Sequence, residues 1–304
     1  MLSLDEYSEY VKDQRASTFP SPYDLAYKAL EGLGFDKEPP SYFEDNASSM
    51  VWDLRKECWR LFTEAEHVFT SYMLKYLSTD SPEIADMNGT DAVAEFVDRY
   101  PDHIYSLALS NTQSRRSRAG KEFEAIIEFI LIGAGIPLDS QGNIGKSLFK
   151  KKGLGKLVDL VIPGVVEYTR NKNDTILISA KTTLRERWQE VPEEMSRTGS
   201  SKMYLVTLDD GISDNVLDIL YESNIIVVTT ADIKSNSYPA SVHVISFERL
   251  IRECKRLAED WDDFKFSKEE RKEIENHLKI QKAKHTQHPY IEKYYATRIN
   301  EFLS

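Results

Sequence analysis

Four short β-rich runs limit what this chain can fold into: LVDLVI (157 to 162), TILISA (175 to 180), MYLVTL (203 to 208) and IIVVTT (225 to 230). Turn signals or helical stretches separate them, which predicts a mixed α/β sheet flanked by helices. Pro163-Gly164 predicts a hairpin leading into Val165, Val166, Glu167 and Tyr168, while helices at about 184 to 198 and 213 to 223 connect the later strands. Everything before residue 110 reads as helix, because Leu54, Cys58, Leu61, Phe62 and Ala65, then Phe69, Met73 and Tyr76, recur at three- and four-residue spacing. Pro20, Pro22, Pro39, Pro40 and Pro82 divide that stretch into separate helices. A further helix is predicted from Ser117 to Leu131, with Phe123, Ile126, Ile127, Phe129 and Ile130 on its apolar side and a stop at Gly133 to Pro137. Helices return after Phe247, one of them starting at Ser267, whose hydroxyl and Glu270 have the spacing of a capping box. The expected organisation is a helical region over 1–110, an α/β core over 111–250 and C-terminal helices over 251–304 packed on that core.

An apolar share of 41% against 29% charged residues is the balance of a globular chain and excludes a disordered one. No apolar run approaches the ~18 residues of a membrane span. The N-terminus MLSLDEYSEY has acids where a secretory signal would have Lys or Arg, so a cytoplasmic protein is expected. Cys58 and Cys254 lie in helix-like segments away from any zinc-ligand spacing and are expected as reduced core residues. The net charge of −11 argues at first against a nucleic-acid partner. Its distribution argues the other way: Arg115, Arg116, Arg118 and Lys121 form one run without acids, and Lys146, Lys150, Lys151, Lys152 and Lys156 a second. With those nine set aside, 30 basic residues face 50 acids. A basic face on an acidic body suits local gripping of DNA, although two solvated loops would look the same in sequence.

The chemistry concentrates in LVDLVIPG and ILISAKTTLRERWQEVPEE. Asp159 stands inside an apolar strand and Lys181 closes another, and a charge at such a place is costly to bury without a counter-charge or a metal. Glu194 falls 13 positions after Lys181, in the helix that follows, on a charged face with Arg187 and Glu190. Two carboxylates suit Mg²⁺, a hard ion with oxygen ligands, which neutralises charge on a scissile phosphate and acidifies a water. A nearby ammonium helps to orient and deprotonate the nucleophile, the role Lys181 would fill. A structural ion pair between Asp159 and Lys181 on neighbouring strands is the alternative.

This arrangement resembles the PD-(D/E)XK nuclease superfamily, in the variant whose second acid has moved from the strand to the following helix. Ser179 occupies the usual place of that acid, two residues before the lysine, and Glu194 matches the relocated carboxylate. The branch with this form includes enzymes similar to NgoMIV, which cut sites containing CCGG, and the related EcoRII, PspGI and SsoII enzymes. SRAGKEFE (117 to 124) resembles the branch's helix bearing an additional active-site glutamate, which would be Glu124, and KTTLRERW (181 to 188) resembles its segment with the catalytic lysine and the base-reading residues. The resemblance covers residues 111 to 230 and, more loosely, the helical region before them; Val158 departs from it where the family name has proline. It implies a restriction-endonuclease-like α/β core, catalysis by Asp159, Lys181, Glu194 and Glu124, metal ligation by Asp159 and Glu194, and Mg²⁺ as cofactor.

Arg185, Glu186 and Arg187 suit consecutive G·C pairs, since Arg donates to guanine O6 and N7 and a carboxylate accepts from cytosine N4. An ordinary charged helix start is the alternative. Arg55 and Trp59 are one helical turn apart, so that a guanidinium and an indole could stack on an extruded base; a core tryptophan among Leu54, Cys58, Leu61 and Phe62 is the rival. The expected protein is thus a type II restriction endonuclease acting on double-stranded DNA as a homodimer or a higher assembly. The resemblance to SsoII-type enzymes implies the site CCNGG, cut ahead of the first cytosine, and a bacterial cell in which a cognate methyltransferase acts on the same sequence; the helical N-terminal region is expected to contribute DNA contacts and dimerisation. A structure-specific or repair nuclease of the same superfamily, or a non-cleaving regulator on this fold, are the other readings.

Overall fold

The computed structural model describes residues 2 to 154 and 158 to 303. Lys156 of the second basic run and Leu157 of the first β-rich run lie outside the described residues, as does the side chain of Glu186. The chain forms two compact units, one of residues 1–29 and 56–122, the other of residues 30–55 and 123–304.

The first unit is helical. Its Leu4–Thr18 helix opens on a capping box between Ser3 and Glu6 and buries Tyr7 and Val11. The Tyr7 hydroxyl donates to the Met73 carbonyl at 3.3 Å, and Phe69, Met73, Leu77, Tyr100 and Leu107 complete the core. The periodic residues expected before residue 110 lie largely on one 40-residue helix, Pro40–Thr79, in which Leu54, Cys58, Phe62, Phe69 and Met73 are buried. The prolines act as read: helices begin at Pro22 and Pro40, and a 3₁₀ turn at Pro82. The helix expected from Ser117 is longer, running Pro101–Gly133, since no proline interrupts the stretch before it and the interior Gly120 is tolerated.

The second unit is built on a six-stranded sheet in sequential order: β1 (Asp139–Ser140), β2 (Leu160–Ile162), β3 (Ile176–Lys181), β4 (Met203–Thr207), β5 (Ile225–Thr229) and β6 (Val244–Ser246). The first three pair antiparallel and the last four parallel, with Leu160 opposite Ile178 and Lys181 opposite Thr207. The middle strands are buried along nearly their whole length, as expected for parallel strands covered on both faces. One expectation fails here. Pro163-Gly164 does not turn a hairpin; after the cis Ile162-Pro163 peptide the chain enters a short helix, Val165–Arg170. Val165 through Tyr168 are all buried, and a short apolar run fits a buried helix as well as a strand. The Val165 N–H donates to Asp139 Oδ2 at 2.9 Å, anchoring the first turn. The connecting helices after β3 and β4 form at Glu190–Thr198, preceded by a 3₁₀ turn over Arg185–Gln189, and at Asp214–Glu222. Ser267 and Glu270 make the expected capping box on Lys268–Lys284. Both cysteines are buried thiols, and no helix among the described residues is long and apolar enough to cross a membrane.

Candidate active site

Asp159 immediately precedes β2, and its backbone is tied on both sides: its N–H donates to Ile178 O and its carbonyl accepts from Gln141 N–H, both at 2.8 Å. The side chain therefore leaves the sheet in a fixed direction beside the end of β3. There Asp159 Oδ2 accepts the Ala180 N–H at 2.7 Å and lies 3.9 Å from Lys181 Nζ. Lys181 Nζ also donates to the Ala180 carbonyl at 3.0 Å and to Ser179 Oγ at 3.4 Å. Both charged side chains are shielded yet reachable, 14% and 15% exposed. Burial pushes the Asp159 carboxyl above its usual range, against the opposing pull of Lys181, the Ala180 N–H and Lys146. An ion pair joining strand ends in this way has a desolvation cost that its attraction offsets only in part, so it is weak evidence for a purely stabilising role.

The other predicted residues sit on neighbouring elements. Glu194 lies on the Glu190–Thr198 helix, 12% exposed, with Arg197 Nη1 at 3.8 Å. Glu124 is half-buried on the Pro101–Gly133 helix. Among the described residues no three His, Cys, Asp or Glu side chains gather closely enough to hold a metal ion by themselves. Arg185 and Arg187 are exposed on the 3₁₀ turn directly after β3. Arg55 sets its guanidinium 5.7 Å from the Phe123 ring centroid. Trp59 is 53% exposed, with Phe62 beneath it at 6.1 Å between ring centroids and the Arg115 guanidinium 5.7 Å from its ring. The core reading of Trp59 is thereby excluded.

The first basic run lies on a helix, not a loop, and is partly consumed within its own unit. Arg115 Nε donates to both Glu66 oxygens at 3.0 and 2.9 Å, and Arg118 donates to Pro20 O at 2.7 Å while covering Phe19 and Phe62. Arg116 and Lys121 are exposed, as is Arg115 despite its pairing with Glu66, while Arg118 is only partly so. In the second run Lys152 pairs with Glu273 at 2.7 Å. Lys146 stands close enough to act on the Asp159 carboxylate, a neighbour that sequence reasoning counted only as part of a charge run.

Comparison with known proteins gives this geometry its context. The family described as EcoRII C terminal matches residues 81–251. The type II restriction enzyme SsoII of Shigella sonnei is 49% identical over 299 residues, covering 98% of both chains. Among solved structures, metal-depleted Ecl18kI in complex with uncleaved, modified DNA matches with a TM-score of 0.92 at 47% identity, over 99% of this chain and 100% of that one. The PspGI–substrate DNA complex shares the fold, with a TM-score of 0.55 at 18% identity over 80% of this chain and 94% of that one. The restriction-endonuclease-like α/β core, with its full-length similarity to a type II restriction enzyme and to Ecl18kI, makes the chain a type II site-specific deoxyribonuclease, a phosphodiester hydrolase. The chain belongs to the EcoRII C-terminal family of restriction enzymes.

Proposed function

We propose that this endonuclease is a Mg²⁺-dependent homodimer that cuts both strands of CCNGG ahead of the first cytosine, with Asp159, Lys181, Glu194 and Glu124 at the catalytic centre. The observation that carries the catalytic part is the Lys181–Asp159 pair at 3.9 Å, one residue of which closes β3 immediately before the Arg185–Gln189 turn. The donor chemistry fits the ion: Asp159 and Glu194 are hard carboxylates, mostly shielded from water, and Asp159 makes its hydrogen bond and its ion pair through Oδ2. Mg²⁺, when bound, would supply charge neutralisation at the scissile phosphate and a more acidic water. Asp159 and Glu194 would hold it, with waters and phosphate oxygens completing a shell that two protein ligands leave open. Lys181, steered by the Ala180 carbonyl and Ser179, orients the attacking water and takes part in its deprotonation.

Arg185, Glu186 and Arg187 read the G·C pairs in the major groove. Two-fold symmetry of a dimer would match the palindrome, and a cognate methyltransferase acting on the same sequence would protect the host's DNA in the bacterial cytoplasm. The helical N-terminal region would add DNA contacts and dimerisation, and the C-terminal helices a packing layer on the core. Support for CCNGG comes from the resemblance to SsoII-type enzymes, from the RER segment beside the lysine and from Trp59, whose exposed indole suits stacking on an extruded central base, a role also proposed for Arg55.

Digestion of a plasmid followed by sequencing of the fragment ends tests the whole reading; ends that map to no common sequence would reject the site. Arg187→Ala is expected to lose about 1–3 kcal/mol of discrimination at one G·C pair. Cleavage rates on duplexes with that pair replaced check this, and an unchanged pattern removes Arg187 from the readers. With Trp59→Ala, the fluorescence of 2-aminopurine at the central position is expected to fall on binding relative to the wild type. Equal fluorescence would reject the stacking role.

A further inference from the structure

Within six residues of Lys181 the chain must leave the sheet and present Arg185 and Arg187 at a fixed offset from the cleaving end of β3. The way it does so is conformationally demanding. Leu184 turns inward and is buried, and Arg185 adopts a left-handed backbone with φ 44, which a residue with a side chain keeps only where its surroundings over-determine it. Those surroundings come from the end of β4. In the parallel pair Lys181 lies opposite Thr207, and past that point the strands continue as a ladder of irregular bonds. The Thr182 carbonyl accepts the Leu208 N–H at 3.2 Å and the Thr207 hydroxyl at 3.4 Å. Asp209 Oδ2 then accepts the Leu184 N–H at 2.8 Å. Arg187 closes the turn, donating its N–H to Leu184 O at 2.9 Å and its Nη2 to Thr183 O at 2.7 Å.

Asp209 is itself held from several sides. Its N–H donates to Thr207 Oγ1 at 3.1 Å and its Oδ1 accepts the Gly211 N–H at 3.1 Å. Its carbonyl accepts the buried Tyr238 hydroxyl at 2.9 Å, and the Tyr238 oxygen in turn accepts the Ile212 N–H at 2.9 Å. A carboxylate fixed in this way is a rigid acceptor, and the bond it makes to a backbone N–H is charge-assisted.

We infer that Asp209 is a positioning residue for sequence recognition: by accepting the Leu184 N–H it fixes the Arg185–Gln189 turn relative to Lys181, so that the arginines meet their bases and the lysine its phosphate in one register. The inference rests on the reading of Arg185 and Arg187 as base readers. Bidentate contacts discriminate only when the fork is held in place, and a displacement of about 1 Å in a positioned group can cost on the order of a hundredfold.

The test compares wild type, Asp209→Ala, Asp209→Asn and Arg187→Ala in single-turnover cleavage. The substrates are a duplex carrying the mapped site and duplexes with one outer G·C pair replaced. Asp209→Ala is expected to lower the ratio of cognate to substituted cleavage by about tenfold. Asp209→Asn keeps an amide oxygen able to accept the Leu184 N–H and is expected to recover most of that ratio. A wild-type ratio in Asp209→Ala, or an equal loss on every duplex, overturns the role. If Arg187→Ala also keeps the wild-type ratio, the base-reading assignment falls and this inference with it; if only Arg187→Ala loses discrimination, Asp209 alone is refuted. Should Asp209→Ala not fold, Tyr238→Phe removes the hydroxyl bond to the Asp209 carbonyl and is expected to lower the ratio in the same direction, an unchanged ratio counting against the proposal.

Discussion

Lys181→Ala is expected to reduce cleavage by about 10³-fold or more while leaving specific DNA binding within a few-fold of wild type. The ammonium is 3.9 Å from Asp159 and directed by the Ala180 carbonyl and Ser179, so alanine removes the cation without moving the strand that carries it. β3 is paired on both sides, and its hydrogen bonds with β2 and β4 do not depend on the side chain at its last position. Asp159 loses its cation but keeps the Ala180 N–H, and since burial already pushes its carboxyl above the usual range, uptake of a proton limits the cost to folding. Binding is measured without divalent metal by gel shift on the mapped site, and cleavage by single-turnover assay with Mg²⁺. Undiminished cleavage would sink the assignment of Lys181, and parallel loss of binding and cleavage would make it a structural residue.

The parts of this site that were legible in the sequence are those where physics makes a residue expensive. A carboxylate in LVDLVI and an ammonium closing ILISAK stand out because apolar strands tolerate neither without a partner, and the structure pairs them. The three central strands β3, β4 and β5 are runs long enough to announce themselves. The edge strands Asp139–Ser140 and Val244–Ser246 are too short for any period to register. The Val165–Tyr168 segment misled for a related reason, since full burial erases the alternation that separates strand from helix. Trp59 was undecidable because it neighbours the apolar positions of its helix, and a face boundary depends on tertiary packing that spacing does not encode. The charge runs misled in part: nothing in SRRSRAGK shows that Arg115 is already paired with Glu66 or that Arg118 covers two phenyl rings. Asp209 reads locally as a turn residue, and its bond to Leu184 becomes visible only once β3 and β4 are in register.

Two glycines on one helix are expected to respond to alanine with opposite signs. In an open helix interior, Gly→Ala stabilises by about 0.5–1 kcal/mol because it reduces the freedom of the unfolded backbone. Gly120 satisfies that condition, as a Cβ there meets nothing within 4 Å. Gly133, at the C-terminal end of the same Pro101–Gly133 helix, does not: a Cβ there would enter the ring of Phe43. That ring is fully buried and stacks on Tyr290 at 6.5 Å, so it has little room to withdraw. The helix end has equally little, because Ala134 N–H and Ile136 N–H bond back to Ile130 and Leu131, and Gly135 turns the chain with φ 77. Overpacking of this kind costs about 1–3 kcal/mol or more, outweighing the backbone gain. Gly133→Ala is therefore expected to lower the thermal midpoint by roughly 2–5 °C while Gly120→Ala raises it slightly. Phe43→Leu combined with Gly133→Ala is expected to cost less than the sum of the two single changes, since the smaller side chain vacates the space the methyl needs. Strict additivity in that cycle, or a stable Gly133→Ala protein, would show that the Phe43 ring does not occupy the place the glycine leaves open.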